Sequence, residues 1–370
     1  MIRRRCGARW ARPTRDPAGS DVVNDSMCGA QFDAYGPARE VLRVALDTPV
    51  PQPDADEILV RVVASSVNPI DCAVRSGYGR AYFELKTGNR PPMCPGRDVA
   101  GLVAAVGSRV RDFRPGDAVY AATLGNANAE LVRVPEAWAA PKPASLSFAQ
   151  AASLPYVALT TWTALVTHAG LTPENAPGKR VVIPRAAGGV GTFATQLVKA
   201  WGGEVAAICS TRNVALVRNL GADLVIDYTK QDPAAVLRDI DIGFDTSFDT
   251  EEMLLDSLKI GADAAYVSIV TPKLKLIDEH GLQDGLRRGD TLFAERVAAQ
   301  HALGRRYYWS FTQPDGAALR QIGRLTDEGR IRAVIDRTFA LDQIVDAHEY
   351  CESGQAQGKI VVRVADEPDS

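Results

Sequence analysis

Only four histidines occur in 370 residues, and none of the six cysteines belongs to a Cys-x-x-Cys pair. A structural zinc lobe needs closely spaced thiolates and a catalytic zinc needs thiolate or imidazole ligands, so neither site, nor a disulfide framework, is suggested. Cys6, Cys28, Cys72, Cys94, Cys209 and Cys351 are scattered, as suits a reducing compartment, and His168, His280, His301 and His348 stand singly. No apolar run is long enough to cross a bilayer, and a net charge of −3 provides no general basic field for nucleic acid or an anionic membrane. A small-molecule partner is expected instead. At 46% hydrophobic and 24% charged, the chain has the composition of an ordinary globular protein, of a length that favours about two domains.

Arg3, Arg4, Arg5, Arg9, Arg12 and Arg15 precede the first acid, Asp16, a pattern shared with mitochondrial transit peptides. Met27 runs straight into Cys28-Gly29-Ala30-Gln31-Phe32, which reads as a first strand. Residues 1–26 are therefore expected to be a disordered extension on a cytoplasmic protein, with mitochondrial import as the alternative, and residues 367–370 a frayed tail.

Between these ends the pattern changes twice. Up to about residue 150 it is β-rich: runs at 57–66 and 98–106, then the turn Pro115-Gly116-Asp117 before 118–122. From 155 to about 300, strands at 181–183, 204–209, 224–227, 244–247 and 264–270 alternate with helices to 201 and over 213–220, 233–239 and 251–260, which predicts a parallel, doubly wound sheet. Beyond 305 the expected elements are a helix over 315–328, a strand over 333–339, a helix over 341–353 and a last strand over 359–364. These closing strands are available to return to the first domain.

The densest signal lies where Val181-Val182-Ile183 meets Ala186-Ala187-Gly188-Gly189-Val190-Gly191. A buried strand, a glycine turn and a helix in that order let a diphosphate approach backbone N–H groups at the positive end of the helix. Val190, Phe193, Ala194, Leu197, Val198 and Trp201 recur at helical spacing, and Gly202-Gly203 stands where the helix stops. NAD-binding versions of this unit place a carboxylate after the second strand to bind the ribose. Here that place reads Cys209-Ser210-Thr211-Arg212-Asn213. Ser210 and Thr211 replace the acid and Arg212 suits a 2′-phosphate, which points to NADPH, although Arg212 also reads as a solvated helix-start residue. Tyr228, after the next strand, reads either as a cover for the adenosine end or as packing. Pro184 and Arg185 stand where a further glycine is expected, and Arg185 is a candidate diphosphate counter-ion.

Further motifs are Asn68-Pro69-Ile70-Asp71, Arg75-Ser76-Gly77-Tyr78-Gly79, Gly96-Arg97-Asp98-Val99-Ala100-Gly101, Gln150-Ala151-Ala152-Ser153-Leu154-Pro155-Tyr156-Val157-Ala158-Leu159-Thr160, Tyr266-Val267-Ser268-Ile269-Val270-Thr271-Pro272 and Gly358-Lys359-Ile360-Val361. Together they resemble the zinc-free quinone-oxidoreductase branch of the medium-chain dehydrogenase/reductase superfamily, and within it the reticulon-4-interacting-protein-like group. The resemblance runs from about Met27 to Val364. It implies an α/β protein with a GroES-like β-rich catalytic domain over 27–154, completed by 305–366, and an inserted Rossmann domain over 155–304, with the cofactor cleft between them. Asn68 stands where zinc members carry a cysteine ligand and Arg97 where they carry histidine, so no metal is expected.

By the same resemblance, Asn68 and Thr160 border the nicotinamide, and Asp71 and Arg97 border the cleft. Ala187, Gly188, Gly189, Val190, Gly191, Ile269, Val270, Gln355, Ala356, Gln357 and Lys359 join the cofactor set. Tyr78 is the first candidate proton donor, since a phenol can both bond the acceptor and deliver a proton. Each has a plainer reading as well: Asn68 as a turn cap, Asp71 with Arg97 as an internal ion pair, Tyr78 as the lining of a lid. The expected activity is metal-independent hydride transfer from NADPH to a quinone or other conjugated carbonyl compound. Enoyl-thioester reduction is the enzymatic alternative, and an NADPH sensor or docking module, suggested by Arg185 and by Thr246-Ser247-Phe248-Asp249, is the non-catalytic one. A homodimer is expected through an edge strand at 266–270.

Overall fold

The computed structural model describes residues 26 to 367 apart from Ala262, so the extension expected over 1–26 and the tail expected over 367–370 fall outside the described residues except for Ser26 and Glu367. β1 (Ser26–Phe32) and β2 (Leu42–Pro49) pair antiparallel. β3 (Glu57–Val67), β4 (Asp98–Val106), β5 (Ala118–Ala122), β6 (Leu131–Pro135) and β7 (Ala139–Pro141) build most of a second antiparallel sheet. Its apolar positions, among them Ile58, Val60, Val62, Val99, Val119 and Val134, close one core.

β8 (Arg180–Ile183), β9 (Glu204–Cys209), β10 (Leu224–Asp227), β11 (Ile242–Asp245), β12 (Ala265–Ser268) and β13 (Arg306–Trp309) form a parallel sheet in the order β10-β9-β8-β11-β12-β13. The order reverses between β8 and β11, which opens a crevice beyond their carboxyl ends where doubly wound folds bind ligands. Val181, Val182 and Ile183 are fully buried, as a central parallel strand covered on both faces requires. β14 (Ile335–Ala340) and β15 (Lys359–Arg363) then return to the antiparallel sheet, giving the order β14-β15-β3-β4-β5-β7, with β6 paired to β3.

Several expected boundaries move. Arg306–Trp309 pairs with Ala265–Ser268, so the parallel sheet extends past the division expected at 304. For the same reason β12 is an interior strand with Tyr266 buried, and the edge expected at 266–270 belongs to β13. The helix expected over 233–239 stops at Val236, because Leu237 turns extended and buries its side chain. The helix expected over 251–260 ends at Ser257, while the strand expected at 244 begins at Ile242, another buried residue. The segment after Pro272 folds as the helices Lys273–His280 and Leu282–Ala302.

Candidate functional site

The site begins where β8 ends. Arg185 adopts φ +48°, the left-handed region that favours glycine, so the turn keeps the conformation for which a glycine was expected and carries an exposed arginine in it. Its carbonyl accepts the N–H of Gly188 at 2.9 Å. Gly188 then caps the helix Gly189–Ala200 without any side-chain bond, leaving the first-turn amides uncapped. A Cβ on Gly191 would lie 2.6 Å from Ala186 Cα, and one on Gly189 would lie 2.8 Å from Lys359 Cδ and 3.1 Å from Val157 Cγ1. An uncapped 12-residue helix with glycines held this close to strand and cleft fits a dinucleotide diphosphate. Ala187 and Val190 complete the turn, and the Ala187 carbonyl accepts the N–H of Gly358 at 2.8 Å.

Beyond β9, the residues expected at the 2′-phosphate end come together. Arg212 Nη2 donates to the Gln355 carbonyl at 3.1 Å, Gln357 Nε2 donates to Asn213 Oδ1 at 2.8 Å, and Asn213 Nδ2 donates to Ser210 Oγ at 3.1 Å. Ala356 lies between these two glutamines, so the C-terminal segment closes over the end of β9. The carboxylate absent after β9 is supplied by another strand. Asp227, at the end of β10, accepts the Thr211 hydroxyl at 2.6 Å and that of Thr229 at 2.7 Å. The bond from Thr211, foremost, holds the Asp227 carboxyl below its ordinary value, and Lys230 lies 3.6 Å away. Thr211 is thus committed to Asp227, and Ser210 and Arg212 are left as the more available groups. Tyr228 is exposed beside them, its N–H donating to the Cys209 carbonyl at 3.1 Å.

At the other end, Asn68 caps the helix Pro69–Ser76 and is nearly fully buried. Its N–H donates to Asp71 Oδ2 at 2.9 Å, and its Nδ2 donates to Asp98 Oδ2 at 2.9 Å. Lys359 Nζ donates to Asn68 Oδ1, to Ser66 Oγ at 2.9 Å and to Asp98 Oδ2 at 3.1 Å. All three ammonium protons are used inside the antiparallel domain, so Lys359 holds Asn68 rather than standing free for the cofactor. Arg97 Nη1 pairs with Asp71 Oδ1 at 2.6 Å. Two buried acids and two buried bases thereby form one network balanced in charge, as burial of charge demands. The turn-cap and ion-pair readings of Asn68, Asp71 and Arg97 both describe real contacts of this network.

Thr160 lies nearby on the helix Pro155–Thr161, its hydroxyl bonded to the Tyr156 carbonyl at 2.7 Å and 2.7 Å from the Thr312 hydroxyl. Ile269 and Val270 follow β12, with the Ile269 N–H donating to the Asp245 carbonyl at 3.0 Å and the Val270 N–H to Ser268 Oγ at 3.1 Å.

Tyr78 is placed differently. It lines a cleft of about 500 Å³ with Tyr35, Arg80, Ile277 and Asp278, and the described walls of that cleft include none of Asn68, Asp71, Arg97 or Thr160. Burial, and then Asp278, push its phenol above the ordinary value. The Gly79 N–H donates to Asp278 at 2.8 Å, which fixes the loop against the helix Lys273–His280. Two residues not singled out by sequence also enter the site, Tyr156 and Thr312. The signal for Tyr156 was its position one helical turn before Thr160; Thr312 had none, because its approach depends on where β13 lies.

The sequence matches the family described as alcohol dehydrogenase GroES-like domain over residues 54–144, and that described as zinc-binding dehydrogenase over residues 220–362. It is 41% identical over 369 residues to the NAD(P)H oxidoreductase RTN4IP1, mitochondrial, of Mus musculus, covering 95% of this chain and 93% of the relative. Identity to the NADPH-dependent alkenal/one oxidoreductase, chloroplastic, of Arabidopsis thaliana is 32%, over 90% of this chain and 78% of that one. Among solved structures, the quinone oxidoreductase from Coxiella burnetii superposes with a TM-score of 0.76 at 32% identity, covering 91% of this chain and 99% of that one. Among the described residues, no group of three or more His, Cys, Asp or Glu is arranged to hold a metal ion.

Proposed function

Because the chain belongs to the medium-chain dehydrogenase/reductase superfamily, among its NAD(P)H oxidoreductases, we propose that it binds NADPH at the glycine turn and reduces a quinone or another conjugated carbonyl compound without zinc. The observation that carries this reading is the uncapped turn at Gly188, beside which the C-terminal segment bonds Arg212 through Gln355, Ala187 through Gly358 and the buried Asn68 through Lys359. NADPH, when bound, supplies the hydride. The chain's own residues do the rest: the helix end and Arg185 receive the diphosphate, and Arg212 and Ser210 select the 2′-phosphate. Asn68, locked by Lys359 and Asp98, offers a rigid wall for the ring. Rigid placement of both reactants is the main catalytic contribution expected of a site without a metal.

Nicotinamide fluorescence or calorimetry tests the binding step, and NADPH oxidation with a panel of quinones and enones tests the reaction. Failure of the purified protein to bind NADPH removes the reading. Arg212→Ala should weaken NADPH about 10- to 100-fold and leave NADH within a few-fold, as loss of a charge-assisted phosphate contact predicts. Turnover of crotonyl-CoA with a large loss in Tyr78→Phe is the result that belongs to the enoyl-thioester alternative, and NADPH binding that no acceptor consumes is the result that belongs to a sensor.

The murine relative is named mitochondrial. That favours the transit-peptide reading of residues 1–26 over the cytoplasmic one, and a fluorescent fusion of this segment that stays in the cytosol would remove it. With β12 interior, a homodimer through a sheet edge would have to use β13, and a solution mass near 39.7 kDa rather than twice that would exclude it.

A further inference from the structure

Tyr78 lines a cleft whose described walls include no residue of the Asn68 corner, whereas a second phenol, that of Tyr156, lies beside Arg97 of that corner. Tyr156 is half-buried in the first turn of its helix, and its backbone is held at both ends. Its N–H donates to Asp98 Oδ1 at 2.6 Å, and its carbonyl accepts the Thr160 hydroxyl at 2.7 Å. The ring is 6.0 Å from the guanidinium carbon of Arg97, which is itself paired with Asp71. The Thr312 hydroxyl stands 2.7 Å from that of Thr160 and is among the groups whose bonding favours the ionised form of the Tyr156 phenol.

On the reading of the chain as an NADPH-dependent carbonyl reductase, we propose that Tyr156 is a catalytic residue that hydrogen-bonds the acceptor oxygen and gives it a proton, oriented by Thr312 and supported by Arg97. The acceptor takes two electrons as a hydride from the reduced nicotinamide, and negative charge collects on its oxygen. The phenolic O–H bond of Tyr156 breaks as the new O–H bond on the acceptor forms. The tyrosinate left behind faces the Arg97 cation, and the Thr312 hydroxyl turns its proton toward it until water restores the phenol. Burial, the largest influence, raises the Tyr156 pKa, with Arg97 pulling it down and Asp71 and Asp98 pushing it up. The phenol therefore enters each turnover protonated, as a donor must.

Tyr156→Phe provides the test, with Thr312→Val as a second variant that leaves the ring in place. Enone reduction should fall about 100-fold in Tyr156→Phe and about 10-fold in Thr312→Val, within the range for loss of a proton donor or an oxyanion-stabilising bond. Reduction of strongly electrophilic quinones, whose products take protons from solvent, should fall less than 10-fold in either. Calorimetric binding of an acidic nitrophenol to the cofactor-free protein, as a mimic of the anionic product oxygen, should weaken at least 10-fold in Tyr156→Phe. Tyr156→Phe enone rates and nitrophenol affinity both within 2-fold of the parent would overturn the proposal, as would unaltered enone rates in Thr312→Val if Tyr156→Phe fails to fold. NADPH affinity is measured alongside. A parent that binds no NADPH and reduces nothing sinks the underlying function, whereas an active parent with an equally active variant sinks only the role of Tyr156.

Discussion

Lys359 shows how one buried charge can join two parts of a protein. Its methylenes lie against Gly189 of the cofactor turn, while its ammonium is spent on Ser66, Asn68 and Asp98. Lys359→Met should lower stability by about 3–5 kcal/mol, read from the urea midpoint, because Asp98 is left buried without its cation. Adding Asp98→Asn should restore part of that loss in a double-mutant cycle. His348 gives a second prediction. Burial foremost, reinforced by Arg75 and opposed by Asp71, lowers its pKa from the ordinary 6.5 to about 4. Between those values the unfolded chain binds a proton that the folded one refuses, so stability is fully present above pH 6.5 and drains away as the pH falls toward 4. The contribution is on the order of 3 kcal/mol. His348→Leu should flatten this part of the stability profile, and an unchanged acid slope would exclude it as the source. Neither residue announced its role in the sequence: Lys359 entered only as a cofactor contact and His348 only as a single dispersed histidine, since both roles depend on neighbours more than 200 positions away.

Among the elements, the turn at 185–191 was the most legible, and its glycines are not equivalent. Gly188 has φ −75° and ψ 171°, open to any residue, and a Cβ there would meet only the Arg185 carbonyl oxygen at 3.3 Å. Gly191 is pressed against the backbone of Ala186 at 2.6 Å. Gly191→Ala should therefore cost about 1–3 kcal/mol by forcing the helix from the turn and weaken NADPH binding, whereas Gly188→Ala should leave stability within about 0.5 kcal/mol. Thermal melts and NADPH titrations of the pair measure both effects. Strand and helix existence followed from apolar periodicity, but ends did not. Residues 233–239 have helical composition, yet Leu237 is drawn extended into the core and Asp239 turns to φ +55°, a tertiary demand that outweighs local propensity.

For the whole molecule, the link between domains is the C-terminal segment. Gly358 and Gly188 pair as an isolated bridge, Gln355 and Gln357 meet Arg212 and Asn213, and Gln196 Nε2 donates to the Arg332 carbonyl at 3.1 Å. Ties of this number predict a single calorimetric transition rather than two, and NADPH at about 100 times its Kd should stabilise that transition by about 2.7 kcal/mol. A first transition that ignores NADPH, followed by a second that responds, would show that the domains melt independently.

The sequence by itself determined the fold class, the order of β-rich and alternating segments, the phosphate turn and the absence of zinc-ligand spacing. Each of these is written in local periodicity, in turn residues, or in which side chains stand at short fixed intervals. Tertiary structure alone decided that β13 rather than β12 forms the sheet edge, that Asp227 restores a carboxylate near Thr211, that Lys359 spends its charge on Ser66, Asn68 and Asp98, and that Tyr156 stands beside Arg97. Those outcomes depend on which distant strands become neighbours, and burial then obliges every charge brought inside to find its partner there.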